Sequence, residues 1–194
     1  MLRPSIILAS LVFSPANVIV PDAGDVVIPP AAIVQVICIK GNDEYAGTAF
    51  RVGNGILLSV NHVTETGQCT INGAPISKWY RSPSSDFSML HGDNGPFIKV
   101  DCGGFVKGRH YIALGYGRGV PIISQVDLIA TGLTDRGEAV LEGILSVIPG
   151  QSGGPVVDSE TGEVVGTVNA QDFEDGLSWS VELKTTPICK RGIA

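Results

Sequence analysis

The sequence predicts an all-β protein of two small antiparallel barrels packed side by side, and three observations predict it. The first is composition: among 194 residues there are 25 Gly and 12 Pro, residues that break helices and make turns. The second is a succession of short Val/Ile-rich runs punctuated by turn residues, with no apolar stripe of helical period long enough for a bundle. The third is grouping. The runs fall into two sets, about residues 31–106 and 107–182, joined by the Gly-rich stretch around Cys102-Gly103-Gly104. Closing sheets into barrels removes exposed edges, which suits many short strands.

From the N-terminus, residues 1–16 read as an export signal: Arg3 supplies positive charge, Ile6 to Phe13 is apolar, and Ser14-Pro15-Ala16 offers small residues for cleavage after Ala16. The plainer reading is an unprocessed strand or tail. The apolar run is too short and Pro-broken to span a bilayer, which takes about 20 apolar residues. The expected protein is therefore secreted or otherwise extracytoplasmic, with no stable membrane span after processing. It is cytoplasmic or virion-associated if residues 1–16 are not a signal. Residues 17–30 are Pro/Val-rich without periodicity, as in a linker or pro-segment.

Strands are then expected at Ile33 to Lys40, Gly47 to Val52 and Ile56 to Val60, the last two joined by Asn54-Gly55, a strong hairpin signal. Further strands are expected at Cys69 to Ile71, Phe87 to Leu90, Phe97 to Val100, Tyr111 to Tyr116 and Ile122 to Thr131. Ala139 to Leu145, Pro155 to Val157, Val164 to Asn169 and Leu177 to Val181 complete the set, and residues 183–194 form a tail.

Composition also excludes functions. With 44% hydrophobic and 16% charged residues the chain is not a disordered one. A net charge of −6 argues against a nucleic-acid partner, which needs a basic face. The three histidines form no metal cluster, so no metal is expected. Gly115-Tyr116-Gly117-Arg118-Gly119 has the glycines of a phosphate-cradling loop, but no helix pattern follows to supply the amide dipole. No cofactor is expected. The partner left is a peptide or protein substrate, met by a monomer.

Cys38, Cys69, Cys102 and Cys189 lack the tight spacing of a zinc or redox site. An even count beside a signal points to disulfides, with buried free thiols as the alternative. Sequence leaves three connectivities open. Cys69 with Cys102 is the preferred pair, because it closes the segment carrying Asp86 onto the strand after His62.

The strongest chemical signal is Pro149-Gly150-Gln151-Ser152-Gly153-Gly154-Pro155. A serine among glycines can sit on a tight turn with its hydroxyl exposed, and the amides of Gly150 and Ser152 can then point at one spot. Such a pair stabilises the oxyanion of a tetrahedral intermediate. The bland alternative is a Gly/Ser hairpin turn.

A serine hydroxyl also needs a base. His62 ends the apolar run Ile56-Leu57-Leu58-Ser59-Val60 and so stands at a barrel rim. His91 lies in a polar turn and His110 at a strand start; both read as surface residues. The base in turn needs an acceptor that sets its tautomer and steadies the imidazolium. Asp86 leads directly into the apolar run Phe87 to Leu90, and a carboxylate entering a core is costly unless hydrogen-bonded or paired. An Asx turn is the plainer reading. Asp93 and Asp101 are rival acids, each in a polar or Gly-rich loop.

The segments Gly47-Thr48-Ala49-Phe50, Leu58-Ser59-Val60-Asn61-His62-Val63, Asp86-Phe87-Ser88-Met89-Leu90 and Gly150-Gln151-Ser152-Gly153-Gly154-Pro155 resemble, in that order, the trypsin/chymotrypsin superfamily, and its compact bacterial and viral members in particular. The resemblance implies two packed antiparallel six-stranded β-barrels, with a Ser-His-Asp triad in the cleft between them. It implies an endopeptidase working through an acyl-enzyme on Ser152, with His62 as general base, Asp86 as orienting acid, and Gly150 and Ser152 as the oxyanion hole. It also places Ser146 near the floor of the primary pocket, Asn169, Ala170 and Gln171 along the substrate strand, and Gly176 to Ser178 on another wall.

Some residues depart from the pattern. Asn61 and Val63 replace the small residue and cysteine that flank the base in animal members, which removes the disulfide there. Gln151 replaces the aspartate that pairs with a newly cut N-terminus, so no activation by N-terminal insertion is expected. The acidic loop Asp172-Phe173-Glu174-Asp175 is either a solvated turn or an attractor for basic substrates. Two rivals remain at this level: a protease-fold binding or structural module, and a protease that cuts its own precursor once.

Overall fold

The computed structural model describes residues 18–19, 27–65, 67–117, 123–135, 138–143, 147–171 and 177–192. A two-stranded ladder of β1 (Val18–Ile19) and β2 (Val27–Ile28) precedes a 3-10 turn at Pro30–Ala32. The first barrel follows: β3 (Ile33–Lys40), β4 (Asp43–Gly53), β5 (Ile56–Ser59), the single-turn helix α1 (Asn61–Thr64), β6 (Gln68–Ile71), β7 (Ala74–Pro75), β8 (Ser77–Arg81) and β9 (Ser88–His91). Its strands are antiparallel in the order β7-β6-β3-β4-β5-β9-β8. The second is a closed six-stranded barrel of β10 (His110–Gly115), β11 (Ser124–Leu133), β12 (Ala139–Glu142), β13 (Pro155–Asp158), β14 (Val164–Gln171) and β15 (Leu177–Glu182). A 3-10 turn at Leu183–Thr185 and the helix α2 (Pro187–Lys190) end the described chain.

Period-two alternation decides where the core sits. On β10, Tyr111 and Ala113 point into the second barrel, while Ile112 and Leu114 join the cluster between the barrels. On β3, Val34, Val36 and Cys38 fill the first barrel and Ile33 faces the seam. Phe50, Leu58, Met89, Leu183 and Ile188, all almost fully buried, complete that seam. Each such side chain contributes about 1.5–3 kcal/mol of burial, so docking the barrels is part of folding. The Asn54-Gly55 turn has both residues at positive φ, 53° and 68°, as a type I′ hairpin turn requires.

Three expectations need correction. The first barrel has seven strands rather than six, because Ala74–Pro75 adds a two-residue strand on β6 and Ser77–Arg81 forms β8. With Lys78 and Arg81 in it, that last run lacks the apolar signature of a strand. Phe97 to Val100 is not a ladder strand. Ile98 N donates to Arg51 O in the first barrel, and Val164 N donates to Lys99 O in the second, so the segment straps the two barrels together instead of lying along one partner.

The preferred Cys69–Cys102 pair does not form. Cys38 joins Cys69 and Cys102 joins Cys189. Cys38 and Cys69 face each other in the β3–β6 ladder, so register puts their side chains together. Cys102 lies in the inter-barrel connector, and α2 docks Cys189 against the seam. The bridges close separations of 31 and 87 residues, and each is worth roughly 3–5 kcal/mol by chain entropy. Two disulfides suit an extracytoplasmic setting. No helix among the described residues is long and apolar enough to cross a membrane, and residues 1–16 lie outside the described chain.

Candidate active site

His62 is carried where the apolar strand β5 leaves the core. Glu65 N closes the single turn of α1 on Asn61 O at 2.9 Å, and buried Val63 anchors it. A Cβ on Gly47 would come within 2.4 Å of Val63 Cγ1, so β4 needs glycine there to let the helix sit down. Val63 does not leave the helix without a disulfide nearby. Cys38 Sγ lies 3.1 Å from Val63 O and Cys69 Sγ 3.6 Å from Thr64 O. These are contacts rather than hydrogen bonds, since a disulfide sulfur carries no hydrogen. The missing flanking bridge is thus replaced by one on neighbouring strands.

Asp86 reaches His62 twice. The His62 amide donates to Asp86 Oδ1 at 2.9 Å, and His62 Nδ1 meets Asp86 Oδ2 in a short contact. The sequence reading missed what holds the acid there. Asn61 Nδ2 donates to Ser82 O at 3.2 Å and to Ser85 O at 3.0 Å, tying the loop before Asp86 to the helix that carries His62. Burial pushes the Asp86 carboxyl up. The side-chain hydrogen bond and charge of His62, with the backbone amides of His62 and Asn61, outweigh that and hold it below the ordinary aspartate value. The rival acids are engaged elsewhere: Asp93 pairs with Arg51, and Asp101 accepts from Gly103 N at 2.7 Å. His91 and His110 are exposed strand-end residues.

Ser152 comes from the second barrel. Gly150 and Gly153 have φ of +98° and +84°, the left-handed region that glycine tolerates. Gly153 N donates to Val168 O at 2.8 Å, and Thr48 N of the first barrel donates to Ser152 O at 2.9 Å. The Ser152 loop therefore lies against β4. A Cβ on Gly153 would stand 2.2 Å from Thr48 O and 2.3 Å from Ser59 Oγ. Gly153→Ala is accordingly expected to combine backbone strain with a clash across the seam, a destabilisation of about 1–3 kcal/mol. Thermal denaturation checks it, and an unchanged melting temperature refutes the close approach.

Among the described residues, neither the Gly150 nor the Ser152 amide has a protein acceptor. Ser152 Oγ makes no hydrogen bond to His62 either. The structure therefore joins His62 to Asp86 directly and places Ser152 across the seam.

An open, polar cleft of about 820 Å³ runs from His62 and Asp86 to Glu138, Asn169 and Trp179 of the second barrel. Asn169 Nδ2 donates to Glu138 Oε1 at 2.7 Å, a partner the sequence did not indicate. Ala170 and Gln171 pair with Trp179 and Ser178 on β15, and Ser178 is buried. Ser146, Gly176 and the acidic loop at 172–175 lie outside the described residues. No group of His, Cys, Asp and Glu among the described residues has the arrangement of a metal site.

The sequence matches no protein-family model and no curated protein. Its structure is similar to those of serine proteases. A serine endoprotease from Yersinia pestis superposes with a TM-score of 0.69 at 18% identity, covering 82% of this chain and 62% of that one. The active form of an M. tuberculosis protease gives 0.66 at 17%, covering 80% and 79%. The HtrA-type protease AlgW with tripeptide gives 0.65 at 23%, covering 83% and 61%. This chain thus spans under two thirds of the first and third of these proteins. The shared feature is the double-barrel fold.

Proposed function

We propose that this chain is a serine endopeptidase that hydrolyses peptide bonds through an acyl-enzyme on Ser152. The observation that carries the reading is the doubly bonded His62–Asp86 pair of the first barrel, together with a glycine-framed serine loop of the second barrel that is hydrogen-bonded through Thr48 to that same first barrel. In this mechanism Ser152 Oγ attacks the scissile carbonyl as His62 Nε2 takes its proton. Asp86 keeps the other ring proton on Nδ1 and stabilises the imidazolium. The carbonyl oxygen, now negative, receives the Gly150 and Ser152 amides. Collapse of the tetrahedral adduct breaks the C–N bond and passes the proton from His62 to the leaving amine. Water, activated by the same base, then releases the acid product and restores Ser152.

Gln151 supports activity without N-terminal insertion. Fully buried, its Oε1 accepts from Ile148 N at 2.7 Å and its Nε2 donates to Ser124 Oγ at 2.9 Å. The loop is braced from inside by a neutral amide, where a zymogen needs an ion pair. The test is labelling with a fluorophosphonate probe, peptide mapping of the label, and cleavage of casein. Label on Ser152 with casein cleavage is expected; no label and no cleavage in folded protein overturns the reading.

A further inference from the structure

The Gly150 loop poses a mechanical problem. At φ +98°, and with no side chain, Gly150 is not held by local sterics, because glycine moves freely between backbone regions. Two unpartnered amides on either side of Gln151 would drift unless something fixes the peptide plane between them. Both polar groups of that plane are in fact held. Gln151 N donates to Ile148 O at 3.0 Å, and Gly150 O accepts from Thr48 Oγ1 at 2.7 Å. Thr48 belongs to β4 of the other barrel and is fully buried.

The direction of the Thr48 hydroxyl is itself dictated. Tyr116 N lies 3.0 Å from Thr48 Oγ1, and an amide can only donate, so the oxygen accepts there. The single hydroxyl proton is left for Gly150 O. Thr48 N on Ser152 O and Ser59 Oγ on Thr48 O at 2.8 Å hold the residue in place. Thr48 thus grips the loop at two carbonyls, one on each side of Gln151.

We propose that Thr48 is a positioning residue for catalysis: its hydroxyl locks the Gly150–Gln151 peptide so that the Gly150 and Ser152 amides stay aimed at the oxyanion. The proposal rests on the endopeptidase reading above. It makes the geometry of a second-barrel loop depend on a first-barrel side chain, so the hole is complete only when the barrels are docked.

Thr48→Val keeps the shape and removes the proton. Losing a donor to the oxyanion outright costs roughly 100- to 1,000-fold, so misaiming both is expected to lower kcat by about 10- to 100-fold. KM for peptide substrates stays within about twofold, since ground-state contacts are untouched. Affinity for a peptide aldehyde, which forms the tetrahedral adduct, falls by the same factor as kcat, while affinity for the corresponding product peptide holds. Thr48→Ser restores both.

An unchanged kcat in labelled, folded Thr48→Val protein overturns the proposal, as does a loss shared equally by aldehyde and product peptide. Should the valine variant fail to fold, a crystal structure of the wild-type aldehyde adduct decides: Gly150 O turned away from Thr48 Oγ1 refutes it. Wild type that takes no fluorophosphonate on Ser152 refutes the endopeptidase reading first, and so separates the two failures.

Discussion

Ser152→Ala is expected to lower kcat/KM for peptide cleavage by about 10,000- to 1,000,000-fold, with His62→Ala close behind. The size follows from what remains. Without the alcohol no acyl-enzyme forms, and the site retains only its amides and its grip on substrate. Without the imidazole the alcohol keeps its proton and is a feeble nucleophile. In the proposed mechanism the two act as one device, so the double variant is expected to be scarcely worse than either single one. Independent contributions would instead multiply. The fold is not at stake in Ser152→Ala, since the loop is held through the Ser152 carbonyl and the Gly153 amide. Rates and melting curves measured together check this. A Ser152→Ala protein cleaving at the wild-type rate would remove Ser152 from the mechanism.

Asp86→Asn is expected to cost about 10,000-fold in kcat. In the wild type the carboxylate accepts from both the His62 amide and the Nδ1 side of the ring. Oriented by an acceptor alone, the ring carries its proton on Nδ1 and offers Nε2 as base. An asparagine can turn its NH₂ toward the ring, which favours the opposite tautomer and puts the proton on the nitrogen that must receive one. The same pair also sets an acid limit on stability. Since the folded carboxyl is held below its ordinary value of 3.8, its contribution is present above that pH. It is lost as pH falls further, through the folded value. Melting temperature is therefore expected to drop more steeply below pH 3.8 in the wild type than in Asp86→Asn. Parallel slopes would show that the contact contributes nothing to folding.

Much of the candidate site is written in short stretches. The turn at Asn54-Gly55, the apolar run into His62, the acid before Phe87 and the glycines around Ser152 each need only their neighbours to be recognised. Their chemistry is local: positive φ, alternation along a strand, a polar group at the edge of a buried run. Asn61 was visible only as a departure from a pattern. Its hydrogen bonds to Ser82 and Ser85 join residues more than twenty positions apart, which no periodicity encodes. Thr48 was one letter of a motif, and its partners at Gly150 and Ser152 sit in the other barrel.

What the sequence alone determined was the all-β, two-barrel class; it also offered Ser152, His62 and Asp86 as candidates for chemistry. The tertiary structure decided the pairings. Cys69 found Cys38 rather than Cys102 because strand register set them opposite each other, and Phe97 to Val100 became a strap because hydrogen-bonding partners awaited it in both barrels. The physical reason is the same in each case. Turns and alternation are fixed by interactions between adjacent residues, whereas register and docking follow from how whole faces fit once the seam between the barrels closes.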